Sequence, residues 1–154
     1  MIDHLSLPVS DVDASARVFA AALAPLGYSV QMAFTREQVP QLPYTKMVGL
    51  GAKGKPDLWL RTARHEVDGA HVAIAVAQRK DVDAFHTAAL AAGLVDDGGP
   101  GVREHYHRYY YAAFVKDGDG HSLEVVCHAP PAAKKVAAKK KPAAKKKVAS
   151  KKKR

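Results

Sequence analysis

Residues 2–9 alternate. Leu5, Leu7 and Val9 fall on one side of an extended chain and His4, Ser6 and Pro8 on the other, the two-residue period of a strand. Residues 12–26 follow with a helical period, placing Val12, Phe19, Leu23 and Leu26 near one face, and Gly27 ends the run. Ser10 is the expected cap, with Asp13 three residues on as its capping-box carboxylate. Alternation returns over 28–34. A polar loop with two prolines covers 35–43, and strands are expected over 44–50 and 58–61, joined by the turn-rich residues 51–57.

The order of elements then starts again. Residues 71–76 read as a strand, 81–90 as a helix ending at Gly93, and 109–116 and 121–127 as strands. Residues 94–108 hold a weak strand candidate and a glycine-rich loop, Gly98-Gly99-Pro100-Gly101. Each half carries the tetrapeptide Asp-Val-Asp-Ala (11–14 and 81–84) and later Ala-Ala-Leu (21–23 and 88–90), and each closes on a strand, Leu58-Trp59-Leu60 or Leu123-Glu124-Val125. This internal repeat predicts two βαβββ modules, at about 1–64 and 70–128.

Three strands set a polar residue on the face opposite their large apolar side chains. His4 lies opposite Leu5, Leu7 and Val9; His71 lies opposite Val72, Ile74 and Val76; Glu124 lies opposite Leu123, Val125 and Cys127. A mid-strand carboxylate with apolar neighbours needs a partner once buried. Two imidazoles and one carboxylate form a donor set suited to non-haem Fe(II) and acceptable to Zn, Mn or Ni. The expectation is therefore that His4, His71 and Glu124 converge on one divalent metal.

Charge divides the chain. Of its 24 Lys and Arg, 12 lie in residues 129–154, which contain no acid, leaving 12 against all 15 Asp and Glu and a body of net charge −3. The tail resembles the lysine-, alanine- and proline-rich tails of linker histones. Such dense like charge is expected to be disordered and to bind polyanions such as DNA. The single cysteine, Cys127, excludes an internal disulfide and reads as a small buried hydrophobe. With no transmembrane run and no signal-peptide pattern, a cytoplasmic location, with the nucleoid as an alternative, is the expectation.

The sequence His121-Ser122-Leu123-Glu124, following the turn Asp117-Gly118-Asp119-Gly120, resembles a motif of the vicinal-oxygen-chelate superfamily, where the turn is usually Asp-Pro-Asp-Gly. That superfamily groups lactoylglutathione lyases, extradiol dioxygenases, fosfomycin-resistance enzymes and bleomycin-binding proteins, and the resemblance covers residues 1–128. It implies an α+β fold, two βαβββ modules whose mixed sheets curl around a metal cleft, and metal ligands at His4, His71 and Glu124. The fourth ligand position falls on Trp59, which cannot bind a metal. A glyoxalase-like lyase or an extradiol-type dioxygenase acting on a substrate with neighbouring oxygens is implied, as is a homodimer. Two other readings stand beside it: a bleomycin-resistance-type protein that binds without turnover, and a nucleoid-associated protein whose folded body is a passenger.

Further candidates come from strand parity. Trp59 and Arg61 are expected to line the cleft as an aromatic floor beside a cation. In residues 103–111 three consecutive tyrosines alternate faces, so either Tyr110 or the pair Tyr109 and Tyr111 looks inward. His107 and Tyr110 are candidates for proton transfer, and Arg103, Tyr109 and Tyr111 for substrate binding. His65, His86 and His128 are assigned no role, and His121 is expected to bond locally.

Overall fold

A computed structural model of the chain describes residues 2–131. The expectation of a disordered basic tail lies, beyond residue 131, outside the described residues. The element order is β1 (Leu5–Val9), α1 (Val12–Leu23) with a 3-10 turn (Ala24–Leu26), β2 (Ser29–Thr35), β3 (Lys46–Ala52), β4 (Lys55–Thr62), β5 (His71–Val76), α2 (Arg79–Ala91), β6 (Val95–Val102), β7 (Tyr111–Lys116) and β8 (Ser122–Cys127). Two four-stranded mixed sheets result, ordered β1-β4-β3-β2 and β5-β8-β7-β6. In each, the first strand runs parallel to the last and the remaining pairs are antiparallel. This is the α+β arrangement expected of two βαβββ modules.

Local physics moves several boundaries. The cap of α1 is Asp11, not Ser10: its Oδ1 accepts from the Asp13 and Ala14 N–H groups, each at 3.0 Å. Ser10 lies one residue before that cap, and its N–H donates to Asp119 Oδ2 at 2.9 Å, across the module boundary. Asp13, expected in a capping box, instead pairs with Lys46 at 2.7 Å. The α-helix stops at Leu23 because Pro25 has no N–H to continue the ladder, and the last residues tighten to a 3-10 turn. Helix α2 begins at Arg79, two residues before the expected start.

Two stretches read as loops are part of strands. Ala52 pairs with Lys55 around a two-residue hairpin turn, Lys53-Gly54, with φ of 55° and 79°. That left-handed pair matches the twist of its strands. The glycine-rich 98–101 segment lies within β6, where register shifts on either side of Gly98 mark bulges.

Each sheet presents one face to the core and leaves the other open. Leu7, Val9, Val48, Leu50, Leu58 and Leu60 are buried with Phe19 and Leu23 of α1. On the second sheet, Val115, Leu123, Val125 and Cys127 are buried with Val82 and Phe85 of α2. Both helices meet between the sheets, so all of this is one core. Fully buried phenylalanines such as Phe19 and Phe85 each carry about 3–5 kcal/mol when truncated to alanine.

His121 ties the modules together. It is 1% exposed. Its Nδ1 accepts the Ala70 N–H at 2.9 Å, and its Nε2–H donates to the Pro8 carbonyl at 2.8 Å. The local bonding expected of it is present in the backbone, whose N–H donates to Asp117 Oδ1 at 2.7 Å, while the ring adds a bridge from β1 to the entry of β5. Among the described residues no helix is long and apolar enough to cross a membrane.

Candidate functional site

The open face of the second sheet gathers the polar side chains. Glu124 lies in the middle of β8, opposite Ala73 of β5 and Phe114 of β7, and is 2% exposed. Its two oxygens have different partners. His71 Nε2–H donates to Oε2 at 3.0 Å, and the Tyr110 hydroxyl donates to Oε1 at 2.6 Å. Ser122 Oγ lies 3.1 Å from His71 Nδ1 and fixes the imidazole from behind. A buried carboxylate is thus fully hydrogen-bonded, as its desolvation requires. Burial, and then the bond to Glu124, pushes the Tyr110 hydroxyl up to about 12, so it stays protonated at neutral pH.

Of the three tyrosines, Tyr110 is the one that reaches this cluster. Tyr111 turns to the helix side, where its hydroxyl donates to Asp83 of α2 at 2.7 Å and Arg79 lies 4.8 Å from its ring centre. Tyr109 pairs with its neighbour Arg108, whose guanidinium is 4.2 Å from its ring centre. His107 stands edge-on to Tyr110, centroids 5.4 Å apart, and its Nε2 lies 2.9 Å from Nδ1 of His128. His128, assigned no role from sequence, stands edge-on to Tyr110 at 5.1 Å. Its shared parity with Glu124 was the signal that could have placed it.

The open face of the first sheet is aromatic. Trp59 stacks on Phe34 with centroids 6.2 Å apart and planes 17° apart. The indole lies against Gly49, where an added Cβ would sit 2.9 Å from Trp59 Cζ3. Arg61 lies over the Tyr44 ring, 4.7 Å from its centre. His4, at the edge of this sheet, is exposed, and its Nδ1 pairs with Asp3 at 3.1 Å; Asp3 also pairs with Lys55. A cavity of about 250 Å³ runs from His4 past Tyr28 and Asp57 to Ala73, the ladder neighbour of Glu124.

The structure thus brings His71 and Glu124 together. His4 borders an adjoining cavity without sharing a close donor cluster with them. Among the described residues one group of three ligand-type side chains lies within 4.8 Å of one another, Asp117, Asp119 and His121. Several of its donor atoms are already engaged, while Asp117 Oδ2 is buried without a partner. Both His121 nitrogens are bonded, Asp117 Oδ1 accepts the Asp119 and His121 N–H groups, and Asp119 Oδ2 holds Ser10. Burial holds the Asp117 carboxyl above its usual range. The group braces the joint between modules.

No family model and no curated protein matches the chain by sequence. Solved structures match by shape. A glyoxalase/bleomycin resistance protein from Albidiferax ferrireducens aligns over 80% of this chain and 95% of its own, with TM-score 0.59 and 21% identity. A glyoxylase/bleomycin resistance protein/dioxygenase domain from a Frankia species covers 82% and 96%, with TM-score 0.64 and 18% identity. Glyoxalase I from Zea mays matches 81% of this chain with 43% of its own, with TM-score 0.60 and 20% identity. The chain therefore has the glyoxalase/bleomycin-resistance/dioxygenase fold, with a hydrogen-bonded cluster of His71, Tyr110, Ser122 and Glu124 on the open face of the second sheet.

Proposed function

We propose that the chain is a metal-dependent small-molecule enzyme of the glyoxalase and dioxygenase type, with its centre at His71, Glu124 and Tyr110. One observation carries the reading: a mid-strand carboxylate, 2% exposed, is held between an imidazole 3.0 Å away and a tyrosine hydroxyl 2.6 Å away. Burying such a group is costly, and a hydrophobic residue at that strand position would pack without the cost.

The donor chemistry fits a metal. His71 Nε2 and Glu124 Oε2 are close enough for a single ion to take both, while Tyr110 fixes the other carboxylate oxygen and Ser122 the other ring nitrogen. His4, whose Nδ1 pairs with Asp3 here, would be the third donor of that set. Fe(II), Zn, Mn or Ni bound there supplies a Lewis acid for two neighbouring oxygens of a substrate. Tyr110, by donating its one hydroxyl proton to Oε1, orients the carboxylate. His107 stands at the rim beside it, able to exchange protons through His128. The reaction is assigned to the glyoxalase-like lyase or extradiol-type dioxygenase class.

A second reading, a non-catalytic binder of planar molecules, is favoured by the Trp59–Phe34 shelf over Gly49. Anaerobic purification with elemental analysis separates the two. A stoichiometric divalent metal lost in both His71→Ala and Glu124→Gln supports the enzyme. Metal-free protein whose Trp59 fluorescence is quenched by aromatic ligands supports the binder.

A further inference from the structure

Arg103 has no carboxylate within 4.0 Å among the described residues, although it is half-buried on the same open face as Glu124. The acids nearest in sequence on β6 are engaged elsewhere, Asp96 with His86 and Asp97 with Lys116. The backbone N–H of Arg103 donates to the Tyr110 carbonyl at 2.7 Å, which sets it across the ladder from Tyr110. Its side chain then folds back along β6 over the glycines. Nη2 donates to the Gly99 carbonyl at 2.7 Å, and the guanidinium lies 5.4 Å from the Phe114 ring centre. The other side of that surroundings is His71, whose ring is 6.2 Å from Phe114.

The glycines make this posture available. A Cβ on Gly101 would fall 2.8 Å from Arg103 Nη1, and one on Gly98 would fall 3.2 Å from Nη2. A bulged strand stripped of side chains is a costly way to cover an apolar ring. It does, however, keep a planar cation at a fixed angle with most of its five N–H donors unspent. A guanidinium so held matches a carboxylate in bidentate fashion better than a lysine would.

We infer that Arg103, cradled by Gly98, Gly99 and Gly101 on Phe114, is a carboxylate receptor, so that the ligand of the open face is a small carboxylic acid with an oxygen function near its carboxylate. The carboxylate rests on Arg103 and the second oxygen points across Phe114 to His71 and Glu124. This deepens the reading of that face as a substrate site and rests on it.

Two probes of the same ring test it. Salicylate carries a carboxylate beside its hydroxyl, and catechol carries a second hydroxyl in its place. Titration calorimetry of the metal-loaded full chain is expected to show salicylate binding that Arg103→Met weakens about ten- to a hundredfold, with catechol binding within twofold of the unaltered protein. Gly101→Ala, which displaces the guanidinium and leaves the charge, is expected to act in the same direction. Equal loss for both probes, or no change in salicylate affinity, overturns the inference. So does a lack of saturable salicylate binding at millimolar concentration. His71→Ala reports on the underlying reading separately: if it leaves both probes unaffected while Arg103→Met still weakens salicylate, the carboxylate site stands and the His71–Glu124 reading fails.

Discussion

Asp117 carries a carboxyl whose Oδ2 is buried without a partner, and burial holds its pKa above the usual 3.8. A carboxyl raised in the folded state binds its proton more tightly there than in the unfolded chain. Its contribution to stability is therefore complete below pH 3.8 and lost as pH rises through the folded value. Asp117→Asn removes that titration and keeps an acceptor for the Asp119 and His121 N–H groups. Thermal melts should show the natural chain gaining on the variant as pH falls from 7 toward 4. A constant difference across that range would mean that the carboxyl is not held up by burial. The tyrosines give the alkaline counterpart. Tyr28 and Tyr110 are each raised to about 12, so protonation favours the fold up to pH 10 and the benefit fades toward 12. Phenolate absorbance should count one fewer late-titrating tyrosine in Tyr110→Phe.

At the scale of elements, the first sheet depends on the close approach of Trp59 to Gly49. Gly49→Ala would put a Cβ 2.8 Å from Pro56 Cβ and 2.9 Å from the indole, and such overpacking costs about 1–3 kcal/mol. A lower denaturation midpoint with shifted Trp59 emission is expected; unchanged emission would mean that the indole does not lie where the stack with Phe34 puts it. The sequence pattern made much of this architecture legible. Alternation at Leu5-Leu7-Val9 and Leu123-Val125-Cys127 located core faces, and the repeated tetrapeptides announced two modules. It failed where backbone conformation outweighs side-chain pattern. A Lys53-Gly54 turn needs only two left-handed residues and looks like loop composition. Gly98-Gly99-Pro100-Gly101 carries only the Pro100 ring as a side chain, so its place in β6 leaves no alternating hydropathy. The site was half legible for a related reason. Parity assigns a face, which put Glu124 and His71 on one side and left Tyr110 open against the pair Tyr109 and Tyr111, but it is blind to rotamer and to neighbours across the joint. It could not see His4 turned to Asp3, His121 bridging to Pro8, or Tyr111 pointing to α2.

For the whole molecule, the joint at His121 decides whether the modules act as one. It links Pro8 of β1 to Ala70 ahead of β5 through two hydrogen bonds made by a neutral imidazole. His121→Ala removes both and leaves a cavity, a loss of about 2–4 kcal/mol. Hydrogen exchange should then accelerate at Ala70 and across both sheets; a change confined to residues 117–121 would make the bridge a local ornament of the turn. An expected homodimer belongs at this scale too, since two open sheet faces remain on each chain, and equilibrium sedimentation with and without metal tests it.

The basic segment offers the last test, because the body works against it. Residues up to 128 carry −3 and should be repelled by DNA, whereas the segment from 129 carries twelve cations. We propose that polyanion binding resides wholly in that segment. If about half of its cations reach phosphates, log affinity should fall with log salt at a slope of about −5. Two variants isolate the cause. Ending the chain at Ala129 removes the segment, and replacing its Lys and Arg by Gln keeps the length while abolishing the charge. Both should elute from duplex DNA at low salt, and both should retain the metal and ligand binding of the full chain. Binding that is insensitive to salt, or that survives the Gln replacement, would move the nucleic-acid surface onto the folded sheets and would make the glyoxalase fold more than a passenger in that contact.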